Sequence, residues 1–192
     1  YAMLARHSLQ STSDQTDYRQ YATLAANAPA AVTPEQAAVW SYPLTDGDEE
    51  ETIFNMVNAM LLRIHQSGHL VNLSLARFAL VKEGIACYKS IRQDIRRAVP
   101  FWPLGLSSYG DSWISLGLKA GNKNYIAVWR SDSGNDTCLL PISHLRGKDA
   151  SVKCLYPQNA ACRCAWHKES GELAVELPVN ISARLFEVSA NE

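Results

Sequence analysis

No stretch of the sequence approaches the roughly 20 consecutive apolar residues of a membrane-crossing helix, so nothing in it reads as a helical bilayer span. Cysteine is sparse and odd in number: Cys87, Cys138, Cys154, Cys162 and Cys164. That argues against a disulfide framework and for a reducing, cytoplasmic compartment, with one extracellular pair left open. An excess of one charge is missing too. The formal net charge is −1 and the longest charged run, Asp46 to Glu51, is acidic, so there is no basic field for nucleic acid and a neutral ligand fits better. Repeats and low-complexity tracts are absent. Metal-site spacing fails on its chemistry. In His65-Gln66-Ser67-Gly68-His69, Gln66 stands where a metalloprotease has its basic Glu, and Ser67-Gly68 interrupts the helix that would keep both imidazoles on one face. Cys162-Arg163-Cys164 lacks a second pair and reads as strand packing. No metal or cofactor is expected.

What is present is an ordinary globular composition, 47% hydrophobic and 19% charged over 192 residues. The length suits one domain, or a small domain joined to part of a larger one. The opening Tyr1-Ala2-Met3-Leu4-Ala5-Arg6 reads like a helix in progress, as if the chain were entered part-way. Ile53, Met56, Val57, Met60, Leu61 and Ile64 recur at helical steps behind the acidic Asp48 to Glu51, predicting an amphipathic helix that ends near Gly68. A second helix is expected from the N-cap Ser74, burying Phe78, Val81, Ile85, Tyr88, Ile91 and Ile95, and broken by Pro100. Beyond Pro100 to Gly105 the period drops to two. Strands are expected around Ile114 to Leu118, Tyr125 to Arg130, Thr137 to Ile142 and Ser151 to Tyr156. A hairpin of Cys162 to Trp166 with Glu172 to Leu177 follows, and then a last strand, Ser182 to Ser189. Trp102, Trp113, Trp129 and Trp166 are expected in the core or at the junction of the two halves.

The densest polar cluster is Ser11-Thr12-Ser13-Asp14-Gln15-Thr16-Asp17. Taken alone it is ambiguous. Ser13 or Asp14 could cap a helix starting at Gln15. The alternative is that a short strand ends here in a carboxylate and hydroxyls, which is how residues are presented at the C-terminal face of a (β/α)8 barrel.

The Ser13-Asp14-Gln15-Thr16-Asp17 segment resembles the S-D-x-T-D motif of family thirty-six glycoside hydrolases, the microbial α-galactosidases. In the order expected of later barrel segments, Pro34 to Pro43, Arg63 to Leu70 and Ala86 to Lys89 are similar to that family as well, so the resemblance runs to about residue 118. It implies an α/β plus all-β fold. Residues 1–104 would be the C-terminal strands and helices of the barrel, and residues 105–192 an antiparallel β-sheet or sandwich domain. It also implies retaining hydrolysis of terminal α-D-galactose from oligosaccharides such as melibiose and raffinose. Asp14 would be the acid/base, with Ser13 and Asp17 orienting it or bracing the turn.

Two departures stand beside the match. Many members carry Trp at the place of Ser11 and Asn at the place of Gln15, so aromatic stacking from that strand is lost. The family's Lys-Trp-Asp nucleophile motif and its Cys-x-Ser-Gly-Gly-Gly-Arg motif occur nowhere in the sequence, so the chain alone is expected to be inactive. A non-catalytic carbohydrate-binding module therefore stays open as a second reading, as do hydrolysis of α-N-acetylgalactosaminides, galactosyl transfer and assembly into a homo-oligomer.

Overall fold

The computed structural model describes residues 2 and 4–191. Tyr1 and Met3, part of the expected opening helix, lie outside the described residues, and Ala2 and Leu4 to Arg6 form turns instead. A β/α unit follows: β1 (Gln10–Ser11), α1 (Tyr18–Asn27), β2 (Ala37–Ser41), α2 (Glu49–Met60), β3 (Arg63–Gln66) and α3 (Leu75–Ile95). The three strands are parallel in the order β1-β2-β3, with a helix after each. Each helix starts where the sequence supplies an acceptor: Asp17 caps α1, Asp48 caps α2 and Ser74 caps α3, each taking backbone N–H groups of the first turn.

The remaining strands are β4 (Val99–Phe101), β5 (Trp113–Ala120), β6 (Lys123–Arg130), β7 (Thr137–Pro141), β8 (Ala150–Tyr156), β9 (Arg163–His167), β10 (Glu172–Glu176) and β11 (Ser182–Ala190). They form two antiparallel sheets, β4-β5-β6-β11-β8 and β7-β10-β9. The expected hairpin is β9–β10, turned through Gly171 at φ 71°, a left-handed conformation that a side chain would strain. Strand β4 was not foreseen. It pairs with β5, so the larger sheet draws on residues to either side of residue 104.

The larger sheet is the middle layer of three. Tyr125, Ala127 and Trp129 of β6, with Leu116 and Leu185, face the helices in one core. Ile126 and Val128, with Phe186 and Val188, face the small sheet in the other. Coverage on both faces is why β5 is buried from Ile114 to Leu118 without a polar side.

Helix α2 departs from its sequence reading in two ways. It ends at Met60, not near Gly68, because Arg63 to Gln66 is taken up as a strand beside β2. It is also buried on every side from Glu51 to Met60, because it lies among α1, α3, β2 and β11. Burying Phe54, Met56 and Met60 there stabilises the unit by about 1.5–3 kcal/mol each. Helix α3 follows its expected span, and Val81, Ile91 and Ile95 are buried as predicted. Ile85 and Tyr88 are half-buried and Phe78 is 42% exposed instead, the inward position of that turn being held by Arg77, which pairs with Glu51. Among the described residues no helix is long and apolar enough to cross a membrane.

Candidate functional site

The loops that leave the C-terminal ends of β1, β2 and β3 meet at one cleft of about 310 Å³. Asp14 comes from the first loop, Tyr42 and Leu44 from the second and Ser67 from the third, with Trp40 on β2 and Asn55 on α2 completing the walls. Loops at the carboxyl ends of parallel strands are where α/β folds gather ligand-binding groups, since the strands hold their roots rigid while the tips vary.

The first loop is clamped to the sheet. Thr12 N–H and Oγ1–H both donate to the Ala38 carbonyl, at 3.0 and 3.1 Å. The Tyr21 hydroxyl, 2% exposed, donates to the Ser13 carbonyl at 3.1 Å and accepts the Trp40 N–H at 3.1 Å, tying loop and strand together. Ser13 Oγ accepts the Gln15 N–H at 3.1 Å, and Gln15 Oε1 accepts the Asp17 N–H at 3.0 Å. Asp17 caps α1, with Oδ1 accepting from Arg19 N–H at 2.9 Å and Gln20 N–H at 3.5 Å. Ser13 and Asp17 thus brace the turn. Asp14 is neither a cap nor helical. It is exposed in the loop between β1 and α1, and among the described residues no donor bonds its carboxylate.

Strand alternation sets the direction of Trp40. Ala37 and Val39 pack into the helical core and Ser41 bonds Met56 Sδ, so Ala38 and Trp40 project from the opposite face. There the Trp40 indole N–H donates to Ser11 Oγ at 3.3 Å, and its ring meets that of His65, its partner in register, edge to face at 5.0 Å. Trp40 and Tyr42 remain 36% and 45% exposed. Sequence reasoning passed over both. The signal was in the alternation of Ala37 to Ser41, whose second face carries one large aromatic.

The second loop is anchored from beneath by a buried ion pair. Arg77 Nη2 and Glu51 Oε2 lie 2.8 Å apart with both side chains 6% exposed. Arg77 also donates to Thr52 Oγ1 and to the Leu44 and Thr45 carbonyls, while Glu51 Oε1 accepts from Leu44 N–H and the Asn55 amide. Burial pushes the Glu51 carboxyl above its ordinary value, against the lowering pull of the Leu44 N–H, Arg77 and Asn55. Asn55 in turn accepts the Tyr42 N–H at 3.2 Å.

No protein-family model matches the sequence, and no curated protein matches it. Solved structures do share its fold. The galactosidase domain of an α-galactosidase–sucrose kinase matches with a TM-score of 0.71 at 13% identity, over 93% of this chain and 25% of that one. A GH36 α-galactosidase from Geobacillus stearothermophilus, solved with raffinose, matches with a TM-score of 0.70 at 12% identity, over 93% of this chain and 25% of that one. The α-galactosidase of Lactobacillus brevis matches with a TM-score of 0.70 at 11% identity, over 94% of this chain and 26% of that one. The chain therefore spans about a quarter of the length of the structures it matches. At such identities the likeness is one of fold, and it extends across the β/α unit and the sheets alike.

Proposed function

We propose that the chain supplies the acid/base side of a retaining α-galactosidase site, with the remaining barrel strands and the nucleophile lying outside these 192 residues. The observation that carries the reading is the Asp14 carboxylate, without a partner among the described residues, at the strand ends in the cleft that Trp40 and Tyr42 also line. Asp17, by contrast, is taken up in capping α1. The substrate is a neutral oligosaccharide with a terminal α-galactose, of the raffinose and melibiose type, in keeping with the absence of any charged field in the sequence.

In a retaining reaction two carboxyl groups about 5–5.5 Å apart flank the anomeric carbon. One attacks the carbon while Asp14 gives its proton to the departing glycosidic oxygen. Asp14 then takes a proton from the water that releases galactose. Trp40 and Tyr42 hold an apolar sugar face beside Asp14. The Trp40 ring stands on the strand next to Ser11, whose hydroxyl now orients it, so the aromatic surface missing at Ser11 is replaced from β2.

The test is Asp14→Ala in the protein that joins this chain to the rest of its barrel. Hydrolysis of raffinose should nearly cease, because its leaving group needs a proton. An activated aryl α-galactoside should still form the galactosyl-enzyme, and azide, a nucleophile that needs no base, should restore turnover and yield α-galactosyl azide. Equal loss on both substrates without azide rescue would make Asp14 a structural residue.

A further inference from the structure

The oxygen of Tyr21 does more than packing requires. The ring lies in the helical core with Ala22 and Ala25, 2% exposed, a place that phenylalanine would fill equally well, and a hydroxyl carried there is costly unless it is bonded. Its bonds all go to the ends of β1 and β2. Between these strands the ladder runs from Gln10 N–H to the Gln36 carbonyl and from Thr12 N–H to the Ala38 carbonyl. Trp40 N–H is the next donor toward β1, but β1 has turned away, and the Tyr21 hydroxyl accepts it at 3.1 Å. The same hydroxyl donates to the Ser13 carbonyl at 3.1 Å and lies 3.2 Å from Thr12 Oγ1.

The Ser13 carbonyl belongs to the peptide group that carries the Asp14 nitrogen, and among the described residues the bond from Tyr21 is the one hydrogen bond to that group. Thr12 and Asp17 hold the loop before and after it. Gln15 N–H, on the far side of Asp14, bonds only within the loop, to Ser13 Oγ. Because the peptide is planar, fixing its carbonyl fixes the direction in which the Asp14 backbone sets out. One oxygen on the capped helix α1 thus ties the backbone of Asp14 to that of Trp40, and both residues line the cleft.

We propose that Tyr21 is the positioning residue of the acid/base, its hydroxyl holding the Ser13–Asp14 peptide at a set place relative to Trp40 so that the carboxyl reaches the departing oxygen. The inference rests on the role given to Asp14 above. Tyr21 exchanges no proton with substrate. The proton passes from the Asp14 carboxyl to the glycosidic oxygen as its bond to the anomeric carbon breaks, while the phenol keeps its own proton, bonded to Ser13. Transfer needs the two oxygens within about 2.6–3.2 Å, and a misplacement of about 1 Å costs on the order of a hundredfold in rate. Dependence on Tyr21 should therefore follow the leaving group's need for a proton. A residue that only stabilised the fold would change all substrates alike.

The test sets Tyr21→Phe beside Asp14→Ala in the protein that joins this chain to the rest of its barrel, with kcat/KM measured on raffinose and on an activated aryl α-galactoside, per site that forms galactosyl-enzyme. Tyr21→Phe should lower the raffinose value roughly 10- to 100-fold and the aryl value less than about threefold, and azide should speed aryl turnover. Equal loss on both substrates, or loss on neither, while Asp14→Ala keeps its leaving-group dependence and azide rescue, would overturn the role of Tyr21 and leave that of Asp14 standing. Equal loss in Asp14→Ala without rescue would overturn both. Should circular dichroism show Tyr21→Phe unfolded, Thr12→Val, which removes the neighbouring hydroxyl of the same clamp, decides by the same ratio of the two substrates.

Discussion

Replacing Arg77 by Ala removes the cation that faces Glu51 and leaves the carboxylate, 6% exposed, with only the Leu44 N–H and the Asn55 amide. Breaking a buried pair from one side costs about 3–5 kcal/mol, since the remaining charge keeps its desolvation penalty without its partner. With a urea slope of about 2 kcal/mol/M, the unfolding midpoint should fall by roughly 1.5–2.5 M. The loss should also depend on pH in one direction. Glu51 is already raised above 4.5 by burial, and without Arg77 it rises further. A carboxyl raised in the folded state favours folding below its unfolded value and loses that contribution as pH rises through its folded value. The gap between variant and unaltered protein should therefore be full at neutral pH and close as pH falls toward 4.5. The double change Glu51→Leu with Arg77→Met removes both charges and should recover part of the loss. The assay is urea unfolding, followed by tryptophan fluorescence at several pH values. A loss under about 1 kcal/mol, as for an exposed pair, or a gap that does not change with pH, would refute the reasoning.

Asp17→Ala should cost about 1 kcal/mol through loss of the α1 cap, lowering the thermal midpoint by about 2–4 °C while leaving aryl-galactoside turnover in the joined protein unchanged; a collapse of activity would give Asp17 a part in the chemistry. Trp40→Ala should weaken kcat/KM for raffinose about 10-fold, as for an aromatic stack of about 1.4 kcal/mol, and leave α-galactosyl fluoride, whose leaving group has no ring, nearly unchanged. Equal loss on both substrates would place Trp40 against the galactose instead. Gly84→Ala would put a Cβ 2.7 Å from Met56 Cε and 3.3 Å from the Tyr156 ring, where α3 packs on α2 and β8. Met56 Cε ends a flexible side chain that can turn aside, so the strain should do no more than offset the helix-propensity gain of about 1 kcal/mol, and a fall in thermal midpoint of more than about 4 °C would contradict it.

Local signals carried far in this sequence wherever chemistry and period coincide. Ser74 caps α3 as read, and β5, β6, β8, β10 and β11 lie where alternation and turn residues put them. The motif at Ser13 to Asp17 led to the loop that lines the cleft. What escaped was decided by partners distant in the chain. By periodicity Arg63 to Gln66 continues a helical stripe, although the family resemblance reads it as a barrel strand, and it becomes a strand because β2 offers it a parallel edge. Arg77, which no local signal singles out, is buried because Glu51, two elements earlier, pairs with it. Trp40 looks like any strand aromatic until Ser11 and His65, far away in sequence, fix which way its ring points.

The position of β11 bears on the order in which the molecule can assemble. This last strand lies inside the larger sheet, between β6 and β8, and carries Arg184 to Glu50 across 134 residues. A ribosome releasing the chain from its first residue presents α2 and the β5–β6 hairpin long before their cover exists. Until residues 182–190 emerge, the β6 edge is unpaired and one side of α2, including Glu50, is open to water. So much dependence on distant pairing predicts slow, late consolidation rather than stepwise growth, with the unpaired β6 edge as the place where a chaperone would bind or a neighbouring chain would add a strand.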